Sequence, residues 1–201
     1  MTTTPAVEMR RYGLDDLTDD LRQTLTDVYA EVYADRLSDP FFDIPRFLDR
    51  LEGHTSRPGW EVVMGYADGE PVGYAYGSPL PERTRWWAGM LKLLPEEMTD
   101  ETGGTRTLAL FELMVRQSWR KTGTAHRIHE ELLSGRPEER VTLLVEPTHP
   151  KVKTLYEAWG YEDIGDQQPF PDAPVYATML RQLRQLRQLR TAQPHASGTT
   201  S

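Results

Sequence analysis

The sequence predicts a mixed α/β fold, a sheet with helices on its faces. Three observations predict it. Some segments repeat apolar residues at helical spacing, whereas others are short runs rich in strand formers. From residue 107 onward the two kinds alternate. The length, 201 residues, suits one compact domain with a sizeable core.

Val7 to Tyr12 reads as a short first strand. Residues 15 to 20 supply capping and first-turn acids, and Leu21, Leu25, Val28, Tyr29 and Val32 then mark one helix face. A second helix over Ile44 to Leu51 comes after the turn signal Ser38-Asp39-Pro40. Trp60 to Ala67 and Pro71 to Ser78 flank Asp68-Gly69, the pattern of a hairpin. Residues 81 to 104 read as an irregular insertion. Thr107 to Val115 is apolar enough for a central strand. Ala125, Ile128, Leu132 and Leu133 mark a third helix, Val141 to Val145 another strand, and Pro150 to Trp159 a fourth helix stopped by Gly160. Tyr161 to Gly165 and Val175 to Leu180 close the pattern as two short strands. The domain is expected over residues 1–180. Residues 181–201, with three Arg-Gln-Leu repeats, read as a low-complexity tail in which Leu180, Leu183 and Leu186 could extend a helix and residues 191 to 201 read as disordered, a dimer contact or anionic-partner site being the alternative.

Charge and composition narrow the function. Lys plus Arg total 23 against 31 Asp plus Glu, a net charge of −8. The four Arg after Leu180, with no acid beside them, leave about −12 for the rest. Such a body repels phosphate backbones, which argues against nucleic acid, and favours cationic partners such as amines. The absence of Cys removes thiolate metal sites and a Cys nucleophile. No apolar run approaches the roughly 20 residues of a membrane span. Met1 to Pro5 lacks the features of a secretory signal, so a cytoplasmic protein is expected. His126 and His129 stand three apart on a helix without an evident third ligand, so no metal is expected.

The segment with most chemistry is a strand followed by Arg120-Lys121-Thr122-Gly123-Thr124-Ala125 at a helix start. Unpaired N–H groups and a partial positive charge at that point suit phosphate oxygens, and Gly123 permits close approach. The same pattern also fits a plain strand-to-helix turn. Its surroundings decide. Leu113-Met114-Val115 with Arg120 to Ala125 resembles motif A of the GCN5-related N-acetyltransferase family. Residues 145 to 161, with Leu155, Tyr156, Gly160 and Tyr161, resemble motif B; His149 and Val152 replace the usual Asn and Ala.

The resemblance implies a mixed, mostly antiparallel central sheet of about six to seven strands flanked by about four helices. It also implies acetyl-CoA as co-substrate and acyl transfer to an amine, of a small molecule or of a peptide or protein. Leu113, Met114 and Val115 would pair with the pantetheine arm through their main chain. N–H groups from Lys121 to His126 would hold the pyrophosphate. Tyr156 matches the position that in many relatives protonates the departing thiolate; a packing role is the alternative. Glu112 is a carboxylate in an apolar strand, where burial raises its pKa or a Lys or Arg pairs with it, and it is the candidate base. Trp86 and Trp87 either wall an acceptor pocket or cover the core. The acceptor is expected between the first two helices and residues 79 to 104. A non-catalytic acyl-CoA-binding module is the rival reading.

Overall fold

The structure is a computed structural model that describes residues 6–146, 148 and 150–183. His149 and the Arg-Gln-Leu repeat beyond Leu183 lie outside the described residues. The chain begins with β1 (Glu8–Gly13), then α1 (Asp19–Val32) and α2 (Ile44–Thr55). The hairpin β2 (Glu61–Ala67) and β3 (Glu70–Pro79) comes next. The insertion carries a 3-10 turn at Trp86–Gly89 and a one-turn helix α3 (Glu96–Thr99). The remainder is β4 (Thr107–Val115), α4 (Thr124–Leu133), β5 (Arg140–Val145), α5 (Pro150–Ala158), β6 (Glu162–Gln167) and β7 (Tyr176–Gln182).

The local chemistry explains these boundaries. Thr18 caps α1 by accepting from the Leu21 N–H, and Asp43 caps α2 by accepting from the Arg46 N–H. Leu21, Leu25, Val28 and Tyr29 are buried, the face the periodicity predicts. The β2–β3 turn has Asp68 and Gly69 both at positive φ, as a primed two-residue hairpin turn demands. Gly160, at φ 89°, ends the turn after α5.

The seven strands form one sheet in the order β1-β2-β3-β4-β5-β7-β6. Only the β4–β5 pair is parallel. Two apolar layers cover the faces. Tyr29, Phe47 and Leu51 of α1 and α2 pack with Val62, Met64, Tyr74 and Tyr76 on one side. Ile128 and Leu132 of α4 and Tyr156 of α5 pack with Val63, Leu108, Val141 and Met179 on the other. The fold class expected from the sequence is therefore the observed one.

The C-terminal boundary differs from the expectation. Leu180 lies in the strand the sequence predicts, and β7 continues through Arg181 and Gln182 by pairing with β5. Leu183 is buried in the α4–α5 layer and donates its N–H to the Glu139 carbonyl. Arg181 fits at the sheet because Glu130 neutralises it at 2.5 Å.

Candidate functional site

The central feature is a gap in the sheet between β4 and β5. The two strands pair only at Thr107–Arg140, Leu108–Val141 and Ala109–Thr142. Beyond that, residues 110 to 115 of β4 have no strand partner on the β5 side among the described residues. A bulge accounts for the divergence. On the β3 side Gly77 pairs with Leu110 and Tyr76 with Glu112, so Phe111 is an extra residue. Such an insertion bends a strand and increases its local twist. Gly77 permits it, because a Cβ there would collide with the Ala109 carbonyl oxygen. Leu113, Met114 and Val115 lie on the unpaired stretch.

The loop after β4 leads directly to α4. Lys121 and Gly123 take positive φ values of 64° and 82°. Gly123 is the N-cap of α4 and no side chain caps that end. The first-turn N–H groups of Thr124, Ala125 and His126 are therefore available to an anion, as in other backbone concavities of this kind. Thr122 and Thr124 share a hydroxyl hydrogen bond at 2.7 Å that fixes the loop. Arg120, Lys121, Thr122 and Gly123 are exposed, and Arg120 donates weakly back to the Val115 carbonyl at 3.4 Å. Arg120 to Gly123 thus form a solvent-facing turn, although the Arg120 N–H is already given to the Gln117 carbonyl.

A cavity of about 860 Å³ opens at the gap, lined by Leu110, Phe111 and Glu112 of β4 and by Leu144 of β5. Tyr33, Phe41, Arg50 and His54 close it from the α1–α2 side, and Trp86 and Gly89 from the insertion. A third wall is the loop between β6 and β7, residues 167 to 176. That loop is tied to the insertion by Gln167, which donates from its side chain to the Trp86 carbonyl, and by the Gln168 N–H to the Gly89 carbonyl, each at 2.9 Å.

Among the described residues Glu112 is the only acid on this lining. Burial pushes its pKa up to about 7, with the Arg50 charge pulling the other way. It makes no side-chain hydrogen bond or ion pair among the described residues. A carboxyl of that kind exchanges a proton near neutral pH. Tyr156 is buried beside Trp159 and Tyr161, with ring centroids 5.3 and 5.4 Å away. Burial first, and then the Glu112 charge, push its phenol above the usual range. The phenol therefore senses the charge of the carboxylate.

The two tryptophans part company. Trp86 lines the cavity, edge-on to Phe111 at 6.1 Å. Trp87 turns inward among Leu80, Ala109 and Leu180 and donates its indole N–H to Glu101. His129 is committed as well: its ring nitrogens contact Tyr161 at 2.7 Å and Glu130 at 3.1 Å. Among the described residues no three His, Asp or Glu form a metal-ligating group.

Sequence reasoning missed Arg50, His54 and Arg57. Their spacing, i, i+4 and i+7, places them in one stripe along α2 and the turn after it. It also missed the β6–β7 loop, which reads as a plain connection until the insertion packs on it.

Comparisons with known proteins agree with this architecture. The model of the Acetyltransferase (GNAT) family matches residues 18–161. An acetyltransferase from Thermus thermophilus is 18% identical with a TM-score of 0.57, over 88% of this chain and 97% of that one. An acyl-CoA N-acyltransferase from Pseudomonas aeruginosa is 14% identical at a TM-score of 0.58, over 88% and 99%. The PaiA N-acetyltransferase from Thermoplasma acidophilum, solved in complex with coenzyme A, is 10% identical at 0.51, over 89% and 99%. No curated protein matches by sequence. No described helix is long and apolar enough to cross a membrane. With the family model matching well over half its length, the chain belongs to the acetyltransferase (GNAT) family of enzymes.

Proposed function

We propose that the protein is a cytoplasmic acetyl-CoA-dependent N-acetyltransferase that transfers the acetyl group directly to an amine, without a covalent acyl-enzyme. The β4–β5 gap, continuous with the open N–H groups at the start of α4, carries this reading. The main chain of Leu113, Met114 and Val115 holds the pantetheine arm as an added strand. The N–H groups from Lys121 to His126, with the charges of Arg120 and Lys121, hold the pyrophosphate. Nothing in the open turn at Gly123 blocks such an approach.

Glu112, directly or through one water, takes a proton from the acceptor amine as nitrogen bonds to the thioester carbonyl carbon. N–H groups on the stretch of β4 beyond Ala109, which has no β5 partner among the described residues, are the donors to the carbonyl oxygen as it gains charge. As the carbon–sulfur bond breaks, Tyr156 gives its proton to the leaving thiolate. Its raised pKa keeps the phenol protonated through the neutral range. The products are the amide and the free thiol.

The test is thiol release from acetyl-CoA with a panel of amines. Glu112 must be ionised to accept a proton, so kcat/KM rises with pH through about 7. Glu112→Gln removes that limb and lowers kcat by about 10²-fold or more. Tyr156→Phe lowers kcat by about tenfold or more with little change in CoA affinity. Saturable CoA binding without turnover on any amine would instead establish a binding module, and absence of CoA binding would remove the reading.

A further inference from the structure

The protein's net charge is −8, yet the acceptor side of the cavity reverses that sign. Its lining holds three guanidinium groups, Arg50, Arg57 and Arg85, against the single carboxylate of Glu112. His54 adds no charge at neutral pH, because burial, with Arg57 and Arg50 nearby, holds its pKa down at about 3.

Arg57 is the informative member. It is half-buried, its guanidinium lies 5.0 Å over the Phe111 ring, and its side chain has no hydrogen bond or ion pair among the described residues. Burial alone depresses its pKa. A guanidinium withdrawn from water without a partner is costly, and such groups are normally paired. Arg85 stands exposed at the rim, also without a side-chain partner among the described residues. Arg50 is fixed deeper, donating to the Phe41 carbonyl at 2.8 Å and the Tyr29 hydroxyl at 3.2 Å.

The pyrophosphate does not account for these cations. They lie on the α2 side of the sheet, whereas the phosphate-binding turn opens α4 on the opposite face. What they match is a planar anion that guanidinium forks can grip from two sides. We propose that the acceptor is a small amine that also carries a carboxylate, gripped by Arg57 and Arg85 at the mouth and Arg50 further in. Its apolar body lies against Trp86 and Phe111, and its amine faces Glu112. A polycationic amine meets three like charges in the same space and is disfavoured. This assignment rests on the acetyl-transfer reading for the amine, while the carboxylate site itself can be measured without turnover.

The experiment uses three unreactive or matched probes on the full chain, with and without saturating CoA: 3-phenylpropanoate, 3-phenylpropanamide and the 3-phenylpropylammonium ion. Calorimetry is expected to show the carboxylate binding about tenfold or more tighter than the amide, with the cation weakest. Arg57→Met, and separately Arg85→Met, are expected to collapse the acid-to-amide ratio while CoA affinity stays unchanged. Neither arginine bonds the described protein through its side chain, so the fold is expected to survive, and a melting curve checks each variant. Equal binding of acid and amide, preference for the cation, or an unchanged ratio in both variants would overturn the proposal. Thiol release on the same preparation separates the two readings. Acid preference without turnover on amino acids removes the transfer reading alone, and turnover on amines without acid preference removes the carboxylate site alone.

Discussion

Glu112 combines two opposed demands at one residue. As the proposed base it must ionise, but its strand is apolar and burial resists the charge, giving a pKa near 7 against an ordinary 4.5. The consequence for stability has a definite sign. Between about pH 4.5 and 7 the folded protein holds a proton that the unfolded chain has released, so stability falls as pH rises through this window. Glu112→Gln avoids that loss. Its melting temperature is expected to exceed that of the wild type above pH 7 and to converge with it below pH 4.5, where both side chains are neutral. A difference that does not change with pH would mean that folding leaves the carboxyl's pKa unshifted, and one that favours the wild type as pH rises would mean that the carboxylate is paired. The sequence made Glu112 visible, because an acid among apolar strand residues is a local anomaly. It did not separate Trp86 from Trp87. Adjacent residues in a 3-10 turn point in different directions, and Glu101, fourteen residues from Trp87, is what draws that indole inward.

At the scale of elements, the gap between β4 and β5 depends on one extra residue. The strand run from Thr107 to Val115 was legible, as were α4 and α5, whereas the 3-10 turn that carries Trp86 and Trp87 read as irregular. The bulge at Phe111 was not, because it is a matter of register between β3 and β4, and a single strand's composition contains no register. Gly77 tests this point. Its added Cβ would strike the Ala109 carbonyl, so Gly77→Ala either strains the sheet or pushes β4 toward β5. The expected cost is about 1–3 kcal/mol in denaturant unfolding, together with weakened CoA binding. Gly53→Ala is the matched contrast. Gly53 lies exposed in α2 with nothing within 4 Å of its added Cβ, so alanine there is expected to stabilise by about 0.5–1 kcal/mol. If both substitutions behave alike, close approach at the bulge is not what governs the strand.

For the whole molecule, the order of the sheet sets what the last residues do. β7 is the last described strand but lies between β5 and β6, so among the described residues β6 joins the sheet only through β7. The loop linking β6 and β7 is also one wall of the cavity. Net charge misleads at this scale: an acidic chain suggests cationic partners, but charge summed over a surface says nothing about the few groups lining one cavity. Composition misleads similarly at the C-terminus, where Arg181, Gln182 and Leu183 read as low-complexity repeat and the structure places them in the sheet and its core. Ending the chain at Leu183 keeps the Arg181–Glu130 pair, the Gln182–Arg140 pairing and the buried Leu183; ending it at Leu180 removes all three. The shorter chain is expected to be less stable than the longer by about 2–4 kcal/mol, mostly from the leucine. Because β7 anchors the β6–β7 loop, the shorter chain should also show a larger rise in KM for its acceptor than for acetyl-CoA, each relative to the longer chain. Equal denaturation midpoints for the two chains would show that the sheet ends at Leu180 and that the cavity wall does not depend on Arg181, Gln182 and Leu183.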